Sequence, residues 1–165
     1  MSAATPATPA TTTPHAAAPS LARLLDEGHS TRAWYGADIL TAIADVDAER
    51  AARRPAPGRH TIGEVALHHA YWAHEVRRRL TGADDPAFPL AGEDWFEWPR
   101  PNGMAWDGVR QVLHAEVHAL YDAVRDVTDG RVASPLSPEA QVDQVLGIAA
   151  HAAYHAGQIQ LLKKI

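Results

Sequence analysis

The chain of 165 residues contains no cysteine. That excludes disulfides, thiolate zinc fingers, iron–sulfur clusters and any cysteine nucleophile supplied by the protein itself. It has no excess of positive charge: 15 Lys and Arg stand against 20 Asp and Glu, a formal net charge of −5. Such a balance leaves no electrostatic footprint for nucleic acid, and the longest basic cluster, Arg77-Arg78-Arg79, reads as a solvated helix face. No run approaches the roughly 18 apolar residues of a membrane span. The opening MSAATPATPATTTPHAAAPS has neither a basic n-region nor a Leu-rich stretch, so no signal peptide is read and a cytoplasmic location is expected. No convincing period-two alternation marks a β-strand.

What remains is a helical chain of one ordinary domain, long enough to bury roughly 70% of its unfolded surface without covalent staples. Residues 1–19 are Ala, Thr and Pro with almost nothing to bury, which predicts a flexible tail before a domain over 20–165. Four helical stretches follow. The first is predicted from about Ser20 to Arg54, stopped by Pro55 and Pro57. The second starts at Thr61, with Glu64 three residues on as a capping box, and ends near Leu80. The third runs from about Met104 to Thr128, with Gly130 beyond it. The fourth opens with Ser137-Pro138-Glu139, an N-cap followed by Pro at the first helical position. Short connections join the first two stretches and the last two, which predicts antiparallel neighbours. The long connection over about 81–103 carries Phe88, Trp95, Phe96, Trp98 and four prolines, so it should pack on the helices. The fold class is all-α, a four-helix bundle with a long crossover between the second and third helices.

Ten histidines are the unusual entry in the composition. In the fourth stretch, Ile148, His151, His155, Ile159 and Leu162 form a core-facing seam, so two histidines stand where Leu or Ile is expected. At i and i+4 they lie one above the other on the same face and can bind one transition metal. Hydrogen-bonded core-edge histidines would show the same spacing. A buried imidazole left unpaired costs about 1–3 kcal/mol, and a shared cation removes that penalty. The second stretch offers His68-His69. Helical periodicity puts His69 at the centre of the Ile62/Val65/Trp72/Val76 stripe and His68 about 90° to one side, and does not decide between them. His114 and His118 repeat the i,i+4 spacing off their apolar centre and read as a solvated or boundary pair. His74 and His29 read as surface or boundary residues, and His15 and His60 fall in the tail and the first loop.

These segments together resemble a known family. His60–Leu80, Phe88-Pro-Leu-Ala-Gly-Glu-Asp-Trp95-Phe with Ala105-Trp106, and above all Gly147-Ile-Ala-Ala-His151-Ala-Ala-Tyr-His155-Ala-Gly-Gln-Ile159 are similar to the DinB/YfiT-like four-helix-bundle family. The resemblance implies a bundle that is often a homodimer, and a metal held by three histidines. In its register the ligand of the second helix stands seven residues after Thr61, which selects His68 beside His151 and His155. It also implies a divalent metal, Zn or Ni first and Fe or Mn next, and a chemistry like that of thiol-dependent S-transferases.

Three neutral nitrogens leave positions open on such a metal, as in catalytic sites. Without cysteine in the chain, a thiol nucleophile has to come from a low-molecular-weight cosubstrate. Glu64, Tyr154 and Gln158 are the candidate catalytic or orienting side chains, and the aromatic crossover is a candidate roof. The expected partners are a small-molecule substrate, a low-molecular-weight thiol and a second copy of the chain. The expected function is a metal-dependent, thiol S-transferase-like enzyme. The alternatives are a non-enzymatic metal- or ligand-binding bundle and a metal-dependent hydrolase. Any such metal should be lost below about pH 6 as imidazoles protonate.

Overall fold

The computed structural model describes residues 20–29, 33, 35–84, 86–99 and 103–165, so the proposed tail over 1–19 lies outside the described residues. Among the described residues the fold is all-α, six helices with no strand. They are α1 (Leu21–His29), α2 (Ile39–Ile43), α3 (Ala48–Ala52), α4 (Ile62–Thr81), α5 (Trp106–Thr128) and α6 (Pro138–Leu162).

The single first helix expected over 20–54 is therefore corrected to three short ones. Two aspartates make the breaks. Asp38 accepts from the backbone amides of Leu40 and Thr41 and starts α2, and Asp47 accepts from that of Arg50 and starts α3. An aspartate that caps a new helix competes with the ladder of the old one, which is why Asp belongs at N-caps and not in helix interiors. Between α1 and α2, Gly36 has φ 129°, a value no right-handed helix can hold.

The later boundaries follow their signals closely. Thr61 and Glu64 form a reciprocal capping box at α4, whose C-cap Gly82 is left-handed at φ 64°. Ser137 caps α6 through the amide of Ala140, with Pro138 at the first turn. α5 begins at Trp106, two residues after the expected Met104, without a side-chain cap.

The neighbours differ from those the short connections suggest. α4 packs on α5 and α6, and α1 packs on α6 and α5, whereas α5 and α6 have little contact along their axes. Only α3, the piece of chain just before α4, lies against α4 as a short connection would place it. The stretch 129–137 spans nine residues, and an extended chain covers about 3.3 Å per residue, ample to cross beneath an intervening helix. The α1–α6 crossing is close. A Cβ on Gly28 would stand 2.5 Å from the carbonyl oxygen of Ala149 and 2.6 Å from its Cα, so only glycine fits there.

Two apolar clusters build the interior. One gathers Ile39, Ile43, Ile62, Val65, Leu67, Trp98, Trp106, Leu113 and Ile159. The other gathers Leu25, Val76, Leu80, Leu120, Val124, Val145 and Ile148. On α4 the change from one cluster to the other falls between Ala70 and Ala73, and on α6 between Ile148 and Ala152. At this waist the chain places His69, His68, His151 and His155. Fully buried Leu or Ile side chains stabilise by about 1.5–3 kcal/mol each, and imidazoles in such a layer need partners to avoid a cost of similar size.

Candidate metal centre

α4 and α6 bring three imidazoles together. His68 Nε2 lies 3.0 Å from His151 Nε2, and His155 Nε2 lies 3.0 Å from the same atom. One ligand nitrogen from each of the three residues falls within 4.8 Å of the others. His68 and His155 are buried and His151 is half-buried. Nitrogens about 2.0–2.1 Å from a common ion, at angles between octahedral and tetrahedral, stand about 2.8–3.4 Å apart. The two separations from His151 fall in that range, and the donor set of three neutral imidazoles suits a first-row divalent ion.

The opposite ring nitrogens show which tautomers are present. His68 Nδ1–H donates to the backbone carbonyl of Asp94 at 2.9 Å. A carbonyl only accepts, so the proton sits on Nδ1 and the lone pair of Nε2 faces the cluster. His155 Nδ1 is 2.8 Å from Gln158 Oε1, which likewise accepts and leaves Nε2 as a lone pair. His151 turns its Nδ1 to His69 Nδ1 at 3.0 Å. Lone pairs of neutral imidazoles meeting at 3.0 Å repel one another unless a cation or a proton lies among them. Holding the second nitrogen of each ligand is how outer partners orient imidazoles toward a metal.

The electrostatics agree. Burial lowers the His151 pKa to about 3, helped by His155 and His68. Burial lowers that of His155 to about 4, opposed by the Gln158 hydrogen bond. Burial also lowers that of His68, opposed by Asp94. All three rings are thus neutral near pH 7 and available as ligands. Protons therefore begin to compete for the ring nitrogens at a lower pH than the value near 6 expected from free imidazole.

The segment between α4 and α5 supplies the rest of the site. Trp95 N–H bonds to the Glu93 carbonyl at 2.8 Å across Asp94, whose φ of 65° is unusual for a residue with a side chain. This tight turn aims the Asp94 carbonyl at His68 and lets its carboxylate accept from Trp72 Nε1–H at 2.7 Å. The next residue, Trp95, stacks flat on His68 at 3.8 Å between ring centres, and His60 stacks on it at 3.6 Å. The aromatic roof expected from composition is present as Trp95 over His68, and the nearby Phe96 and Trp98 are buried.

Two cavities reach the cluster. One, of about 450 Å³, is lined by His68 and His151 with Trp72, Val76, Arg79 and Ile148. The other, of about 560 Å³, is lined by His155 and Trp95 with His60, Arg59, Tyr154 and Gln158. Both are of small-molecule size.

The remaining candidates are placed as follows. Gln158 holds His155. Tyr154 is 68% exposed and meets the His155 ring edge-on at 5.0 Å. Glu64 is buried, accepts from the backbone amide of Thr61, pairs with Arg54 and lies 3.4 Å from His60 Nδ1. Those contacts make it a cap and an ion-pair anchor. His69, at the stripe centre, is fully buried directly behind His151.

Two histidines read as surface or boundary are corrected to buried. His29 is 4% exposed against His69, and His74 is 2% exposed against Glu116. In both cases a partner from a distant segment satisfies the imidazole, and no local pattern carries that information. Asp94 is missed for the same reason, since it reaches His68 from a distant segment, with its backbone carbonyl at 2.9 Å and its carboxylate Oδ1 at 3.1 Å. His114 and His118 are exposed as expected. No helix among the described residues is long and apolar enough to cross a membrane.

The family model that matches the chain is that of the DinB superfamily, over residues 31–159. No curated protein and no solved structure matches.

Proposed function

The chain belongs to the DinB superfamily, and from that premise we propose that it is a metal-dependent enzyme that transfers a low-molecular-weight thiol to an electrophilic small molecule. The observation that carries this reading is the meeting of three neutral imidazole nitrogens, those of His68 and His155 each 3.0 Å from that of His151, with the outer nitrogens of His68 and His155 already committed to acceptors. His68, His151 and His155 are the ligands, Zn or Ni is the first choice of ion, and α1, α4, α5 and α6 act as the four helices of a bundle with 82–105 as its crossover. When bound, the ion supplies Lewis acidity that favours the thiolate over the thiol at neutral pH.

The chain's own residues do the remainder. Asp94 and Gln158 fix the rings of His68 and His155. Trp95 covers His68 and narrows water access, which strengthens electrostatics beneath it. The two cavities give separate approaches to the cluster from the His151 side and the His155 side, a layout that suits two substrates. In the transfer, the thiolate sulfur forms a bond to an electrophilic carbon while that carbon's leaving group departs, or while its π bond takes up a proton.

The test is an assay of a panel of low-molecular-weight thiols with reactive electrophiles. Conjugation that needs added metal and is lost in His151→Ala is expected. Absence of any metal- and His151-dependent conjugation overturns the transferase. Metal- and His151-dependent hydrolysis in its place would favour the hydrolase.

The chain is further proposed to pair with a second copy of itself through the outer face of α6. Val142, Leu146, Tyr154 and Leu161 are 39%, 52%, 68% and 67% exposed there, with exposed Ala150 and Gly157 between them. Sedimentation should show a dimer that Leu146→Asp dissociates, and a monomeric wild type contradicts it.

A further inference from the structure

Behind the three ligands runs a second file of histidines. His151 Nδ1 is 3.0 Å from His69 Nδ1, His69 Nε2 is 2.9 Å from His29 Nε2, and His29 Nδ1 is 3.2 Å from the backbone carbonyl of Leu25. His69 is fully buried and His29 nearly so. α6, α4 and α1 each contribute one ring, so the file crosses the waist of the fold.

The structure assigns to His29 and His69 a positioning role: they form a directional hydrogen-bond relay, anchored at Leu25, that sets the tautomer of His151 and points its Nε2 lone pair at the metal. The assignment rests on the metal-centre reading above. The direction follows from the end of the chain. The Leu25 carbonyl can only accept, so His29 carries its proton on Nδ1 and leaves Nε2 as an acceptor. His69 must then donate from Nε2, which leaves its Nδ1 to accept. His151 in turn donates from Nδ1, and its Nε2 is a lone pair.

Reversing every bond would place a His29 lone pair against the Leu25 carbonyl oxygen and a proton on His151 Nε2, where the ion belongs. A single acceptor on α1 thereby biases a ligand on α6. His68 and His155 are oriented directly, by Asp94 and by Gln158, whereas His151 is fixed through two intermediaries.

Two variants separate this role from packing. His29→Leu keeps the volume and removes the acceptor for His69 Nε2–H. His29→Gln can return an oxygen near the position of Nε2. Zinc affinity by chelator competition is expected to fall about 10–100-fold in His29→Leu, the range for loss of an outer partner, and to stay close to wild type in His29→Gln, with helical content by circular dichroism preserved. Ring-nitrogen NMR of the metal-free wild type should find the protons on His69 Nε2 and His29 Nδ1.

A His69 protonated on Nδ1 in the metal-free wild type overturns the relay. So does a folded His29→Leu that binds zinc as tightly as wild type, or a His29→Gln as weak as His29→Leu. A wild type that takes no zinc overturns the metal centre itself, an outcome distinct from wild type and His29→Leu binding equally well.

Discussion

The chain contains two pairs of histidines at the same i,i+4 spacing, and they have opposite fates. His151 and His155 on α6 face the waist of the fold, with ring centres 4.3 Å apart, nearly perpendicular planes and Nε2 atoms 3.0 Å from each other. His114 and His118 on α5 are exposed, with rings roughly parallel and 6.2 Å apart. The spacing is common to both. The difference lies in what stands opposite and behind. The α6 pair meets His68 from α4 and is held by Gln158 and His69. No third ligand joins the α5 pair among the described residues. A third donor and outer hydrogen bonds that fix its lone pairs are what make the α6 pair able to hold a metal.

The strongest way to break this comparison is to remove a ligand. His68→Ala, His151→Ala or His155→Ala should abolish stoichiometric metal binding, read by elemental analysis of dialysed protein. Acid should come next. Burial lowers the pKa values of His29, His151 and His155, so between about pH 6.5 and about pH 4 the unfolded chain binds protons that the folded chain does not.

 Stability of the metal-free protein therefore falls as pH drops through that window and is full above it, and thermal melts across pH should show this. A metal-free melting temperature that is flat from pH 7 to pH 4 would contradict the buried, neutral rings.

Smaller effects sharpen the comparison. Gln158→Leu removes the acceptor of His155 Nδ1–H and should weaken metal binding by about 10-fold, at the low end for an outer partner because His155 remains as a ligand. His114→Ala and His118→Ala should leave metal content and melting temperature unchanged, since substitutions on an exposed face usually shift stability by less than about 0.5 kcal/mol. A metal content that fell in His114→Ala as it does in His151→Ala would erase the distinction between the two pairs.

Much of the helical frame was legible because its signals are local. Thr61 with Glu64, Ser137 with Pro138, and Gly82 after α4 each fix a boundary through backbone hydrogen bonds within a few residues. The His151/His155 pair was legible for a similar reason, since a helix dictates what lies at i+4. The place of His68 in the cluster, ahead of His69, follows from the family register and not from periodicity, because a side chain that meets another helix stands off the centre of its own apolar stripe.

What stayed hidden depends on distant partners. The first helix is broken by Asp38 and Asp47, residues that an unbroken apolar pattern passes over. His29 and His74 are buried because His69 and Glu116 come to meet them from other helices. Asp94 acts on His68 through its backbone carbonyl at 2.9 Å and its carboxylate Oδ1 at 3.1 Å, and it does so from a turn 26 residues further along the chain, which no local pattern reveals.

The most direct test is metal analysis of the full chain purified without an affinity tag, with His151→Ala and His114→Ala prepared alongside. Wild type and His114→Ala should each carry one divalent ion per chain, and His151→Ala should carry none. A wild type without metal after exposure to zinc and nickel, or a His151→Ala that retains a full equivalent, would contradict the three-histidine centre.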